Sequence, residues 1–126
     1  MPQQPLIVVL SGEPELVEEY GLALTAAGCR VSALPDASAK RTARSVVRRS
    51  ATIPRGASIG LELTTLDREQ KRRSLRFMDG KLPKGAILLS SSVTMAAHDQ
   101  AAWLRHPERL LGMSVLPSFA ARPLVE

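Results

Sequence analysis

The stretch Lys84 to Glu126, KGAILLSSSVTMAAHDQAAWLRHPERLLGMSVLPSFAARPLVE, decides how the chain is read. An apolar run, Ala86-Ile87-Leu88-Leu89, ends in Ser90-Ser91-Ser92. A short amphipathic segment carrying Trp103 and Leu104 follows, and a second apolar run from Leu110 to Leu116 stops at Pro117. Short, wholly apolar runs separated by a segment of helical character describe strand, helix, strand.

Working outward, the same alternation recurs. Leu6 to Leu10 (LIVVL), bounded by Pro5 and Ser11-Gly12, has the form of a strand covered on both faces. From Glu13 to Ala27 the apolar positions Leu16, Val17, Tyr20, Ala23, Leu24 and Ala27 recur at steps of three and four, which predicts a helix. Glu13 and Glu15 suit its first turn and Gly28 its end. Cys29 to Leu34 returns as a second strand, completing a right-handed βαβ unit. Asp36 to Ser50 is expected to be a surface helix with a basic face (Lys40, Arg41, Arg44, Arg48), capped by Asp36 or Ser38. Ala57 to Leu63 is expected to be a third strand, weakened by Gly60. Thr64 to Lys81 is expected to be a crossover helix burying Leu66, Leu75, Phe77, Met78 and Leu82. The sum is an α/β fold: a Rossmann-like, mostly parallel sheet of about five strands with flanking helices, forming one domain over residues 1–126.

Composition narrows the class. The chain has 126 residues, 44% of them hydrophobic and 23% charged, which suits one globular core. The lone cysteine, Cys29, can form no internal disulfide and reads as a reduced core residue. No apolar stretch approaches the roughly 18 to 20 residues that span a bilayer, and MPQQP does not begin like a signal peptide, so a cytoplasmic protein without membrane association is expected. The net charge of +5 is concentrated between Arg30 and Arg73, where eleven Lys or Arg, Lys71 among them, face four acids, Glu62 among them. That segment reads as an anion-attracting surface. Aromatic residues at 3% leave little for base stacking, which argues against nucleic acid as the anion.

The organising stretch also resembles the end of the nucleotide-binding domain of 3-hydroxyacyl-CoA dehydrogenases, where the pattern is roughly AILASNTSS, RPERVIGMHFFNP and LVE. The matching pieces here are Ala86 to Ser90, His106 to Met113, and Leu124-Val125-Glu126. Ile59 to Leu63 is similar to that family's LVIEA strand, and Asp67, Glu69 and Lys71 to the helix after it. The excursion between Leu34 and Ile59 is shorter than the family's. The resemblance implies an NAD-binding Rossmann domain, here degenerate and without the family's C-terminal helical domain.

The resemblance also assigns site positions, and most are altered. A dinucleotide loop needs G-x-G-x-x-G, and the matching positions are Gly12, Pro14 and Val17. Pro14 removes an N–H and adds bulk where a phosphate would sit, and Glu13 and Glu15 place negative charge at the helix start. The acid that would hold the adenosine ribose corresponds to Pro35, with Asp36 beside it. The catalytic histidine position holds Ser114, and a hydroxyl is far too weak an acid or base to replace an imidazole near neutral pH. The family's Asn-Thr-Ser corresponds to Ser91-Ser92-Val93, and its orienting glutamate to Glu126. The candidate site therefore comprises Gly12, Asp36 and Ser91 toward NAD; Ser92, Ser114 and a remnant Glu126 toward catalysis; and Lys40, Arg41, Arg44 and Arg48 toward CoA phosphates. No metal is expected. Ser90-Ser91-Ser92 alternatively reads as a helix-capping turn, Gly12 as a turn residue, and His98 and His106 as surface residues.

Three functional readings follow. The first is a domain of this type, non-catalytic alone, acting as a binding or assembly module with a second copy or with a helical partner chain that supplies the histidine. The second is a working NAD-dependent dehydrogenase domain. The third is a basic protein that binds CoA esters or nucleic acid.

Overall fold

The computed structural model describes residues 4–35, 47–92 and 96–113. The first strand, β1 (Ile7–Gly12), leads through Glu13 into α1 (Pro14–Ala26) and back to β2 (Arg30–Ala33). After β3 (Arg48–Arg49) come β4 (Ile59–Leu63), α2 (Arg68–Lys81), β5 (Ile87–Ser91), α3 (Ala97–Ala101) and, past a 3-10 turn at Pro107–Arg109, β6 (Leu110–Met113). All six strands pair in parallel in the order β3-β2-β1-β4-β5-β6. This is the doubly wound α/β arrangement expected, with one strand more than the sequence suggested.

The side-chain period of a strand explains how the two layers are filled. On β1, Val8 and Leu10 join α1's Leu16 and Val17 in one cluster, while Val9 joins α2's Leu75 and Met78 and the following Leu82 in the other. Val8, Val9 and Leu10 are all at most 2% exposed, as the unbroken run LIVVL implied. Full burial of each such side chain contributes about 1.5–3 kcal/mol, which makes β1 the hub of both cores.

The additional strand lies in the segment read as a helix. Residues 36–46, with Asp36, Lys40, Arg41 and Arg44, lie outside the described residues, but at its end Arg48 and Arg49 pair with Ser32 and Ala33. Val47 is buried, Arg48 is exposed at the sheet edge, and Arg49 Nη1 donates to the Leu34 carbonyl at 2.9 Å. Arg48 therefore belongs to an edge strand and not to a helical basic face. The strand is two residues long, and Ser50 N–H donating to the Ala33 carbonyl at 2.8 Å closes it.

Helix α2 also differs from expectation. It starts at Arg68, with the Asp67 carboxylate capping the Gln70 N–H at 3.1 Å, so Leu66 lies in the preceding loop and is 85% exposed. The face turned to the sheet is Lys71, Leu75, Met78 and Leu82, at steps of four, three and four. Phe77, two residues from Leu75, points away from that stripe and is partly exposed.

Close packing of α1 depends on Gly21. A Cβ there would lie 2.3 Å from Val47 Cγ2, so the helix approaches this part of the chain only because the position carries no side chain. Val17, which corresponds to the last fingerprint glycine, is instead fully buried.

Candidate functional site

The chain leaves β1 in one direction toward β2 and β3 and in the other toward β4, β5 and β6. The switch point is therefore between β1 and β4. In such sheets ligands enter the crevice at the carboxyl ends of the strands at this point. The residues found there are Ser11, Gly12 and Glu13 after β1, Glu62 to Leu66 after β4, and Ser91 and Ser92 after β5.

A buried polar cluster occupies the floor. Lys71 Nζ donates to Glu62 Oε1 at 3.1 Å, to the Thr64 carbonyl at 2.8 Å and to Ser91 Oγ at 2.7 Å. Glu62 also accepts from the Thr64 N–H at 2.8 Å, Thr64 Oγ1 at 2.8 Å and Ser11 Oγ at 2.7 Å. Removing two ions from water costs several kcal/mol each, and such a pair persists only where the surrounding hydrogen bonds are complete. Here the carboxylate accepts four of them. Burial pushes the Lys71 ammonium below its ordinary pKa, while the charges of Glu62 and of nearby Glu13 and the Glu62 hydrogen bond pull it back up. Lys71 is wholly buried, so the anion-attracting surface expected from the sequence loses one of its members.

Above this floor, Glu13 spans the crevice. Its carboxylate accepts from the Thr65 N–H, from Thr65 Oγ1 at 2.7–2.8 Å and from the Leu66 N–H at 3.1 Å. The loop after β1 is thereby tied to the loop after β4. Gly12 makes this possible. It adopts φ +124°, and a Cβ there would lie 2.4 Å from the Leu63 carbonyl carbon. Only glycine satisfies both conditions.

The three serines do not cap α3, whose N-cap residue Ala96 offers no side-chain hydrogen bond. Ser90 Oγ donates to Gln100 Oε1, and Gln100 Nε2 donates to the Ser91 carbonyl at 2.9 Å, so α3 is held to β5 from its middle. Ser91 Oγ is buried and donates to the Thr64 carbonyl at 2.9 Å. Ser92 Oγ donates to the Met113 carbonyl at 3.1 Å. His98 and His106 are exposed. Val93, Ser114 and Glu126 lie outside the described residues.

Among the described residues no three His, Cys, Asp or Glu come together as a metal would require, and no helix is long and apolar enough to cross a membrane. A second ion pair, largely buried and unmarked by any motif, lies near the C-terminal end of α2. Asp79 Oδ2 accepts from the Arg105 and His106 N–H groups at 2.7 and 3.3 Å, and Arg109 Nε lies 3.6 Å from Asp79 Oδ1.

No protein-family model and no curated protein matches the sequence. Solved structures do match. (S)-3-hydroxybutyryl-CoA dehydrogenase PaaH1 of Ralstonia eutropha superposes with a TM-score of 0.72 at 17% identity, over 90% of this chain and 50% of that one. The fold is shared with 3-hydroxyacyl-CoA dehydrogenases. The enzyme of that name from Archaeoglobus fulgidus matches with a TM-score of 0.65 at 18% identity, over 88% of this chain and 42% of its own. A 5-formyl-3-hydroxy-2-methylpyridine 4-carboxylic acid 5-dehydrogenase, described as an NAD+-dependent dismutase, gives 0.67 at 17% over 90% and 45%. This chain thus spans half the length of these structures or less, and at such identities the common property is the fold.

Proposed function

We propose that this chain is a dehydrogenase-type Rossmann domain that does not bind a dinucleotide in the usual pose and is non-catalytic by itself, serving as a binding or assembly module. The observation that carries this reading is the Glu13 carboxylate lying across the switch-point crevice between the Gly12 turn and Thr65. A pyrophosphate entering over α1 would meet it. Two like charges 4 Å apart repel by about 1 kcal/mol in water and about 4 kcal/mol at the effective dielectric of a protein surface. Pro14 contributes no N–H to offset this.

The altered catalytic positions support the same reading. Ser114 stands where the resemblance places the histidine, and an orienting role for Glu126 requires that histidine. A partner, either a second copy or a chain carrying helices and an imidazole, would be needed for 3-hydroxyacyl-CoA chemistry. Lys40, Arg41 and Arg44 remain the candidate contacts for a CoA ester, and Cys29, a free thiol, suits a reducing, cytoplasmic setting.

The test is turnover. Purified protein is mixed with NADH and a short 3-ketoacyl-CoA, and nicotinamide absorbance is followed. No oxidation above the protein-free rate is expected. Turnover that scales with protein concentration would overturn the proposal in favour of a working dehydrogenase domain.

A further inference from the structure

We infer that the crevice between β1 and β4 is a carboxylate-binding site whose occupant is the chain's own Glu13, a tethered ligand that excludes free anions from the switch point. This deepens the functional reading given above and rests on it for the site's importance.

Three features make the loop a receptor and not merely a contact. First, the donors converge: the Thr65 and Leu66 N–H groups and the Thr65 hydroxyl all address one carboxylate, with Thr65 Oγ1 within reach of both of its oxygens. Hydrogen bonds to an ionised acceptor are about twice as strong as neutral ones. Second, the residue before the donors is anchored from below: the buried Lys71 ammonium, its charge paired with Glu62, donates to the Thr64 carbonyl at 2.8 Å. Third, the stem of the receptor is anchored by contacts that do not involve the Glu13 carboxylate. Leu63 is fixed by its ladder pairing with Gly12, Thr64 by its hydrogen bonds to Glu62 and Lys71, and the next two residues carry the donors. A preformed site loses little ordering entropy on binding.

The site is reachable. Leu66 is 85% exposed and Thr65 half-buried, so the mouth opens to solvent. What keeps free anions out is the tether, since an intramolecular ligand acts at an effective concentration of millimolar or higher. Removing the Glu13 carboxylate while keeping the loop should therefore leave a vacant receptor for a small carboxylate such as formate.

The experiment uses the full chain and its Glu13→Ala variant, titrated with sodium formate against sodium chloride at matched ionic strength. Amide resonances of Thr65 and Leu66 are followed by NMR, and melting temperature by circular dichroism. In the variant, formate and not chloride should shift both amides saturably, with half-saturation in the millimolar range. The melting temperature should rise by about 4 °C at tenfold excess over half-saturation. The unaltered chain should show neither response. Amides that ignore formate in the variant, follow chloride equally, or respond equally in the unaltered chain would overturn the inference. If Glu13→Ala does not fold, Glu13→Ser leaves similar space. Folding of either on addition of formate alone supports the inference, and failure of both to respond overturns it. NADH binding by the unaltered chain would overturn the proposed function and the exclusion of anions by Glu13, whereas a formate response confined to the variant would still show the carboxylate site itself. A missing formate response without NADH binding would remove this inference alone.

Discussion

Lys71 Nζ lies 3.1 Å from Glu62 Oε1 at the carboxyl end of the sheet, and neither side chain has exposed surface. The pair joins α2 to β4 and, through Ser11 and Ser91, to the ends of β1 and β5. Removing one partner leaves the other charge buried and alone. Lys71→Met or Glu62→Gln should each cost about 3–5 kcal/mol, whereas the double variant Lys71→Met/Glu62→Leu should recover part of that loss and not all of it, because Thr64 and Ser11 lose their acceptor. Urea unfolding of the four proteins checks this, and single variants within 1 kcal/mol of the parent would refute it.

The partly buried Tyr20 and the buried Lys71 should shape alkaline stability in opposite directions. Burial first, then the charge of Glu19, raises the Tyr20 pKa above its ordinary 10.0. The unfolded chain therefore releases this proton before the folded one, and stability is lost as pH rises above 10. Lys71 is shifted down from 10.5, so between its folded value and 10.5 the unfolded chain binds more protons and stability rises with pH. Tyr20→Phe should flatten the decline above pH 10. The Lys71→Met/Glu62→Leu variant should lose the rise just below 10.5. Unfolding free energies measured across the alkaline range separate the two.

Gly12 and Gly28 both have positive φ, +124° and +93°, but only Gly12 faces a wall of backbone. Gly28→Ala should cost about 1 kcal/mol, the conformational penalty alone. Gly12→Ala should cost about 3 kcal/mol or more, because Leu63 and Thr64 must also move. Equal costs, read from denaturation midpoints, would mean that the β1–β4 ends are not as closely joined as described.

The Gly21 and Val47 contact predicts a coupled pair. Gly21→Ala should destabilise by about 1–3 kcal/mol through overpacking, and Val47→Ala in the same chain should relieve part of it. A double-mutant cycle should give a coupling of about 1 kcal/mol. Strict additivity would place Val47 elsewhere.

Much of this architecture is legible in local sequence. LIVVL, the apolar run before Ser90 and the periodicity of α1 give three elements because each signal lies within the element itself. Arg48-Arg49 has no strand pattern of its own; only the open edge of Ser32 and Ala33 makes it one. Lys71 falls on the same stripe as Leu75 and Met78, but nothing local marks the groups that compensate its charge. Its partner Glu62 lies nine residues away across a loop, and Ser91 twenty residues away, so no helical stripe announces them. At the site, Glu13 reads from sequence as a charge hostile to phosphate at a helix start. The sequence does not carry the reach of that carboxylate to Thr65, which depends on the pairing of Gly12 with Leu63.

The central claim is that Glu13 closes the crevice to a dinucleotide. Titration of the protein with NADH, followed by nicotinamide fluorescence with and without a short 3-ketoacyl-CoA, tests it most directly. No saturable signal is expected up to millimolar NADH, and saturable binding in the micromolar range would mean that the crevice admits a dinucleotide.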